Sequence, residues 1–83
     1  MTMRTYITTR TEAREITEGY KRYIFRDKHK RVQKGDIIGF RVVENNRSIK
    51  DKIDENLYIV TSIEDRFTAP IDKDLILIGF RDA

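Results

Sequence analysis

The chain contains no cysteine, a single histidine, a single proline and only four glycines. Without cysteine there is no disulfide, no thiolate metal site and no Cys nucleophile, a usage that suits a reducing compartment; a cytoplasmic location is expected. With His29 alone, a metal would have to rely on carboxylates, which are spread through the second half of the sequence, so no metal or other cofactor is expected. Gly19, Gly35, Gly39 and Gly79 are scattered, and nothing in their spacing supports a P-loop or a Rossmann turn. No apolar run approaches the roughly 20 residues of a membrane span, and the opening Met-Thr-Met-Arg-Thr-Tyr lacks a signal-peptide core, so no membrane partner is expected. Internal repeats and low-complexity segments are absent as well.

What remains is a chain of 83 residues, read as a single domain over 1–83, with 39% hydrophobic residues and four Tyr plus four Phe to fill a small core. The net charge is only +3, but residues 1–34 hold ten Lys/Arg against four Asp/Glu, and residues 35–83 hold seven against ten. That asymmetry predicts a basic surface and an acidic one, and the basic surface favours a polyanionic partner.

Met3–Thr8 alternates weakly and is rich in Thr and Tyr, as a short strand would be. Thr9-Arg10-Thr11-Glu12 has capping-box spacing, predicting reciprocal bonds between Thr9 and Glu12 at the start of a helix. Ala13, Ile16 and Tyr20 form the helix's apolar stripe, and Gly19 is placed to end it. Lys21–Arg26 reads as a second strand with Tyr23 and Phe25 on one face and Ile24 on the other; Asp27–Gln33 is a basic loop. Lys34-Gly35-Asp36 is a turn feeding the β-branched strand "DIIGFRVVE". Asn45–Glu55 is expected to be a loop or irregular hairpin connection. "NLYIVTSIED" is a strand with Leu57, Ile59, Thr61 and Ile63 on one face and Tyr58, Val60 and Ser62 opposite. Pro70 lies in a connection, and "LILIGF" closes the chain as a strand. The pattern gives an α+β fold, with five or six short strands curled into a partly closed β-barrel beside one main N-terminal helix.

The succession of helix, "EGYKRYIFRD", basic loop and "KGDIIGF" resembles the ASCH group of the PUA-like superfamily, in particular its small bacterial and phage proteins. That group shares a G-x-K-x-x-E-x-R pattern running from the helix end into the next strand, followed by a G-D turn. Gly19, Lys21 and Arg26 match this spacing, Gly35-Asp36 match the turn, and the final "LILIGF" is similar to the group's closing strand. The resemblance implies a PUA-like barrel with a positively charged cleft. Its members range from RNA-binding modules to nucleases and an amidohydrolase acting on acetylated cytidine. The departure is Ile24, which stands where the group carries a polar residue.

Lys21 and Arg26 are the candidate phosphate- or base-binding pair; being five apart, they reach one cleft only if the strand bulges or coils between them. Arg22, Lys28, Lys30, Arg31 and Lys34 extend the basic patch, with Tyr6, Tyr20 and Tyr23 as stacking surfaces suited to single-stranded or flipped nucleotides. Tyr20 and Tyr23 read equally as half-buried core. His29 reads as a solvated loop residue, and Glu64-Asp65 as a turn or a partner of Arg66. The expected function is RNA or nucleotide binding without catalysis. A hydrolase is the alternative: the hydroxyl nucleophile implied by the resemblance falls on Ile24, which cannot serve, and Thr61 or Ser62 would have to substitute. A protein-interaction module, with the acidic half facing a basic partner, is the third reading.

Overall fold

A computed structural model of the protein describes residues 3–28 and 31–83. Among these residues the elements are β1 (Met3–Thr8), α1 (Arg10–Thr17), β2 (Tyr23–Asp27), β3 (Ile37–Glu44), β4 (Arg47–Ile49), a 3-10 turn (Lys52–Glu55), β5 (Tyr58–Glu64) and β6 (Leu75–Asp82). One helix and a six-stranded sheet give the expected α+β class. The strands run in the order β1-β3-β5-β6-β2, with β4 attached to β3. β1 is parallel to β3, and every other pairing is antiparallel. The sheet is not closed, because β1 and β2 lie at its two ends, an arrangement compatible with a partly open barrel.

The Thr9 hydroxyl caps α1 by accepting from the Glu12 backbone N–H at 3.1 Å. The expected return bond is not made: the Glu12 carboxylate turns to the Thr8 hydroxyl, Lys21 and Arg26, whose two positive charges outweigh one neutral N–H of Thr9. At the other end Gly19 has φ +83°, its N–H donates to Ile16 O at 3.1 Å, and the Tyr20 N–H donates to Glu15 O at 2.9 Å. These are the paired bonds of a Schellman ending, which needs a residue at ease in the left-handed region. The reversal takes Tyr20 away from the helix stripe and leaves it 81% exposed, so only Ala13 and Ile16 of the expected stripe are buried.

One face of the sheet and the helix enclose the core. Ile24, Ile38, Val42 and Ile78 are fully buried there, with Ile53 from the 3-10 turn closing one side. Phe40, Tyr58 and Phe80 form an aromatic cluster with centroids 5.2–5.7 Å apart, and Tyr6 joins it at 6.4 Å from Phe40. The strict alternation expected along β5 fails at Thr61, where a bulge separates Val60, paired with Phe80, from Ser62, paired with Gly79. The extra residue reverses the parity, so Ile63 packs on the core side with Tyr58 and Val60 while Ser62 faces out. The segment expected to be a connection holds a hairpin: Asn45 and Asn46 take φ +50° and +64°, the two left-handed positions of a tight turn that Asn tolerates, and β4 follows.

Candidate functional site

Glu12 is the centre of the site. Its Oε1 accepts the Thr8 hydroxyl at 2.6 Å and Arg26 Nη2 at 3.0 Å, and its Oε2 accepts Lys21 Nζ at 3.0 Å. The Glu12, Lys21 and Arg26 side chains are only 19%, 25% and 20% exposed. Lys21 and Arg26 converge as expected, but without a bulge: β2 pairs with β6 in unbroken register from Tyr23, and Lys21 precedes it, so alternation does not govern its direction. Within β2, Arg26 shares the inward face of Ile24.

Arg26 also spans the gap in the sheet. Its Nη2 donates to Ile7 O on β1 at 3.0 Å and its Nη1 to Phe25 O on β2 at 2.7 Å, while its guanidinium carbon stands 5.7 Å from the centre of the Tyr6 ring. Two strand edges with no backbone pairing are therefore joined by one planar side chain. An open groove of about 330 Å³, lined by Ile7, Thr8, Thr9, Glu12, Arg26 and Val43, lies beside this seam.

Burial pushes the Glu12 carboxyl up, but hydrogen bonds from Thr8, Arg26 and Lys21 and the charge of Arg26 prevail and lower it to about 2. A carboxylate that weakly basic is a poor proton acceptor at neutral pH. The cluster is built to hold its members in place.

The remaining cations are distributed differently. Arg22 pairs with Asp82 at 3.0 Å, and Lys28 approaches Asp74 at 3.9 Å. Both pairs are solvated, and such pairs contribute at most about 1 kcal/mol, so a phosphate could replace either carboxylate. Arg31 and Lys34 are exposed; Lys30 and His29 lie outside the described residues. Three ion pairs, Arg10–Glu44, Arg22–Asp82 and Lys28–Asp74, join a base from the basic part of the sequence to an acid from the acidic part. Charge that is segregated along the chain is thus partly mixed in space. The groove beside Glu12 pairs it with Arg26, and the next three likewise combine an acid with a base: Glu18 with Arg14, Asp82 with Arg22, and Asp54 with Arg41. The groove with Arg14 also holds Arg10 and Lys52 beside Glu18 and Asp51, so bases outnumber acids there, but none of the four is lined by bases without an acid.

The aromatic candidates separate cleanly. Tyr6 is buried and offers no stacking surface. Tyr20 is 81% and Tyr23 49% exposed, which excludes the reading of both as core. Phe25, read from the sequence only as a face partner of Tyr23, is 43% exposed beside it, with the rings edge-to-face at 6.2 Å. Lys21 Nζ lies 5.7 Å from the Tyr23 ring centre. Ile24 is fully buried, and Ser62 faces out beside Gly79, on the side of the sheet opposite Glu12. Neither places a hydroxyl near Lys21; Thr8 does, and no spacing signal in the sequence marks it. Glu64-Asp65 leads into a turn in which the Asp65 carboxylate accepts the Phe67 N–H at 2.9 Å, while Arg66 turns to the Phe67 ring at 4.6 Å.

No helix among the described residues is long and apolar enough to cross a membrane. No protein-family model matches the chain, and no curated protein matches it either.

Proposed function

We propose that the protein binds single-stranded RNA or nucleotides without turning them over, as an ASCH-like, PUA-like module. The observation that carries this reading is the Tyr23–Phe25 pair on the outer face of the end strand β2. Two large rings, 49% and 43% exposed, stand next to a cation, and in sequence they fall between Tyr20 and the basic loop. Rings accept any base face, and the solvated bases Arg22, Lys28, Arg31 and Lys34 supply phosphate contacts. Lys21 and Arg26 act behind this surface: their pairing with Glu12 fixes the start and the end of β2. The weak basicity of Glu12 and the burial of Ile24 support the reading without turnover.

Fluorescence anisotropy with a short labelled single-stranded RNA tests the reading. Tyr23→Ala combined with Phe25→Ala is expected to weaken binding by about 1–3 kcal/mol per stacked base. Arg31→Ala with Lys34→Ala is expected to flatten the dependence of affinity on salt, by about 0.7 in the logarithmic slope for each lost contact. No binding at low salt, or binding indifferent to the aromatic pair, sinks it. In the latter case, the mixed charge of the grooves favours a protein partner instead.

A further inference from the structure

A groove of about 380 Å³ runs between α1 and the 3-10 turn, lined by Arg10, Arg14, Thr17, Glu18, Asp51 and Lys52. It shares no residue with the Glu12 cluster or the aromatic surface. On α1, Arg10, Arg14 and Thr17 fall at i, i+4 and i+7 and so share one face, with the two arginines about 6 Å apart along the axis. Ala13 and Ile16 of the helix and Ile53 of the turn are buried, and both elements pack on β3, so the two walls keep a fixed spacing. Arg10, Arg14 and Lys52 themselves are exposed, and the space between them is open to a small ligand.

The bases of this groove are poorly neutralised. Arg14 and Lys52 belong to no ion pair among the described residues, although Glu18 stands one turn beyond Arg14 and Asp51 precedes Lys52. Arg10 has one partner, Glu44 at 3.2 Å, and with side chains 54% and 43% exposed that pair is solvated and readily exchanged for a ligand oxygen. Of the two lining acids, Asp51 is committed to the turn: its carboxylate accepts the Ile53 N–H at 3.0 Å and closes a capping box with Asp54. Glu18 alone opposes an anion without being held in this way. Two guanidinium forks and an ammonium around one concavity suit an oxyanion with several acceptors. A phosphate monoester carries a charge of about −1.5 to −2 at pH 7 and three terminal oxygens, which matches the three bases. A backbone diester, with a single charge, matches them less well.

We propose that the groove between α1 and the 3-10 turn binds a phosphate monoester, with Arg10, Arg14 and Lys52 as its donors. The source is a nucleotide or the phosphorylated 5′ end of an RNA, and in this choice of source the proposal rests on the binding function above. The site itself lies on the side of the sheet that α1 covers, opposite Tyr23 and Phe25, and does not depend on that aromatic surface.

The test follows the backbone amide resonances of the whole protein by NMR at constant ionic strength while inorganic phosphate is added, and then repeats the titration with AMP and adenosine. Saturable movement of the amides of α1 and residues 51–55 with phosphate is expected, and AMP should move them at lower concentration than adenosine. Arg14→Gln and Lys52→Gln should each weaken phosphate by about tenfold, as loss of a hydrogen bond to a charged group does. Glu18→Gln should tighten it by about threefold, as removal of an exposed like charge does. Arg66→Gln, outside the groove, should leave the affinity unchanged. A 5′-phosphorylated RNA that acts on these amides at lower concentration than AMP identifies the strand end as the source; the reverse identifies the nucleotide. Amides of α1 and the turn unmoved by phosphate, or equal phosphate affinity in Arg14→Gln, Lys52→Gln and the wild type, overturn the proposal. Tyr23→Ala with Phe25→Ala separates the two readings: it should abolish the binding of 5′-hydroxyl RNA yet leave the phosphate response intact.

Discussion

Glu12 condenses the structural role of the cluster into one side chain. Its carboxyl lies below that of an unfolded chain, near 4.5, at about 2, so the folded state favours the ionised form. A group lowered on folding contributes stability that is complete above the unfolded value and is lost as pH falls towards the folded one. Unfolding stability should therefore decline between about pH 5 and pH 2. Glu12→Gln should remove about 2 kcal/mol at pH 7, a figure reduced for partial exposure, and should flatten that decline; urea titrations at a series of pH values read both effects. Gly19→Ala should cost about 1 kcal/mol, since alanine at φ +83° is strained, and far-UV circular dichroism during thermal unfolding measures it. How far Glu12 could be read from the sequence is instructive. The spacing from Thr9 marked it as a capping residue, and the cap is half present. Its carboxylate's true partners come from β1, the connection after α1 and β2, which no local spacing relates. Ile24 stood out in the sequence as the apolar residue between Lys21 and Arg26, and its complete burial gives it a packing role.

At the scale of elements, β2 carries two different surfaces on five residues. Ile24 and Arg26 face in, one filling the core and the other spanning to β1; Tyr23 and Phe25 face out. Alternation alone made this division readable. It misled only for Lys21, because β2 starts at Tyr23, and for Ser62 and Ile63, because a bulge reverses β5. A bulge is invisible in a sequence whose residues on both sides are apolar or small. The tight turn at Asn45-Asn46 lies inside Asn45–Glu55, which the sequence presents only as a loop or irregular hairpin connection; two adjacent Asn in the left-handed region close it, and β4 follows. Arg26→Lys tests the spanning role, since lysine keeps the charge but cannot reach Ile7 O, Phe25 O and Glu12 together. Expected are a loss of about 1–3 kcal/mol and faster amide exchange in β1 and β2, with the central strands β5 and β6 unchanged. Equal acceleration everywhere would show that Arg26 contributes only to global stability.

For the whole molecule, the charge asymmetry of the sequence proves to be partly a pairing code. Bases from the first part meet acids from the second in Arg10–Glu44, Arg22–Asp82 and Lys28–Asp74. Composition announced the two populations correctly, but not that they would face one another, because their meeting depends on strand order. That same order has a temporal consequence. β2 has one backbone partner, β6, and β1 has one, β3, whereas the β3–β4 and β5–β6 hairpins join neighbours in sequence. Closing a long loop must be offset before distant pairing is rewarded, so the hairpins are expected to gain amide protection first and β2 last, an order that pulsed hydrogen exchange can record. Until β6 is in place, Tyr23, Phe25 and the cations around them belong to an unpaired segment. The aromatic surface is thus expected to be the last part of the protein to form, at the moment the final strand docks.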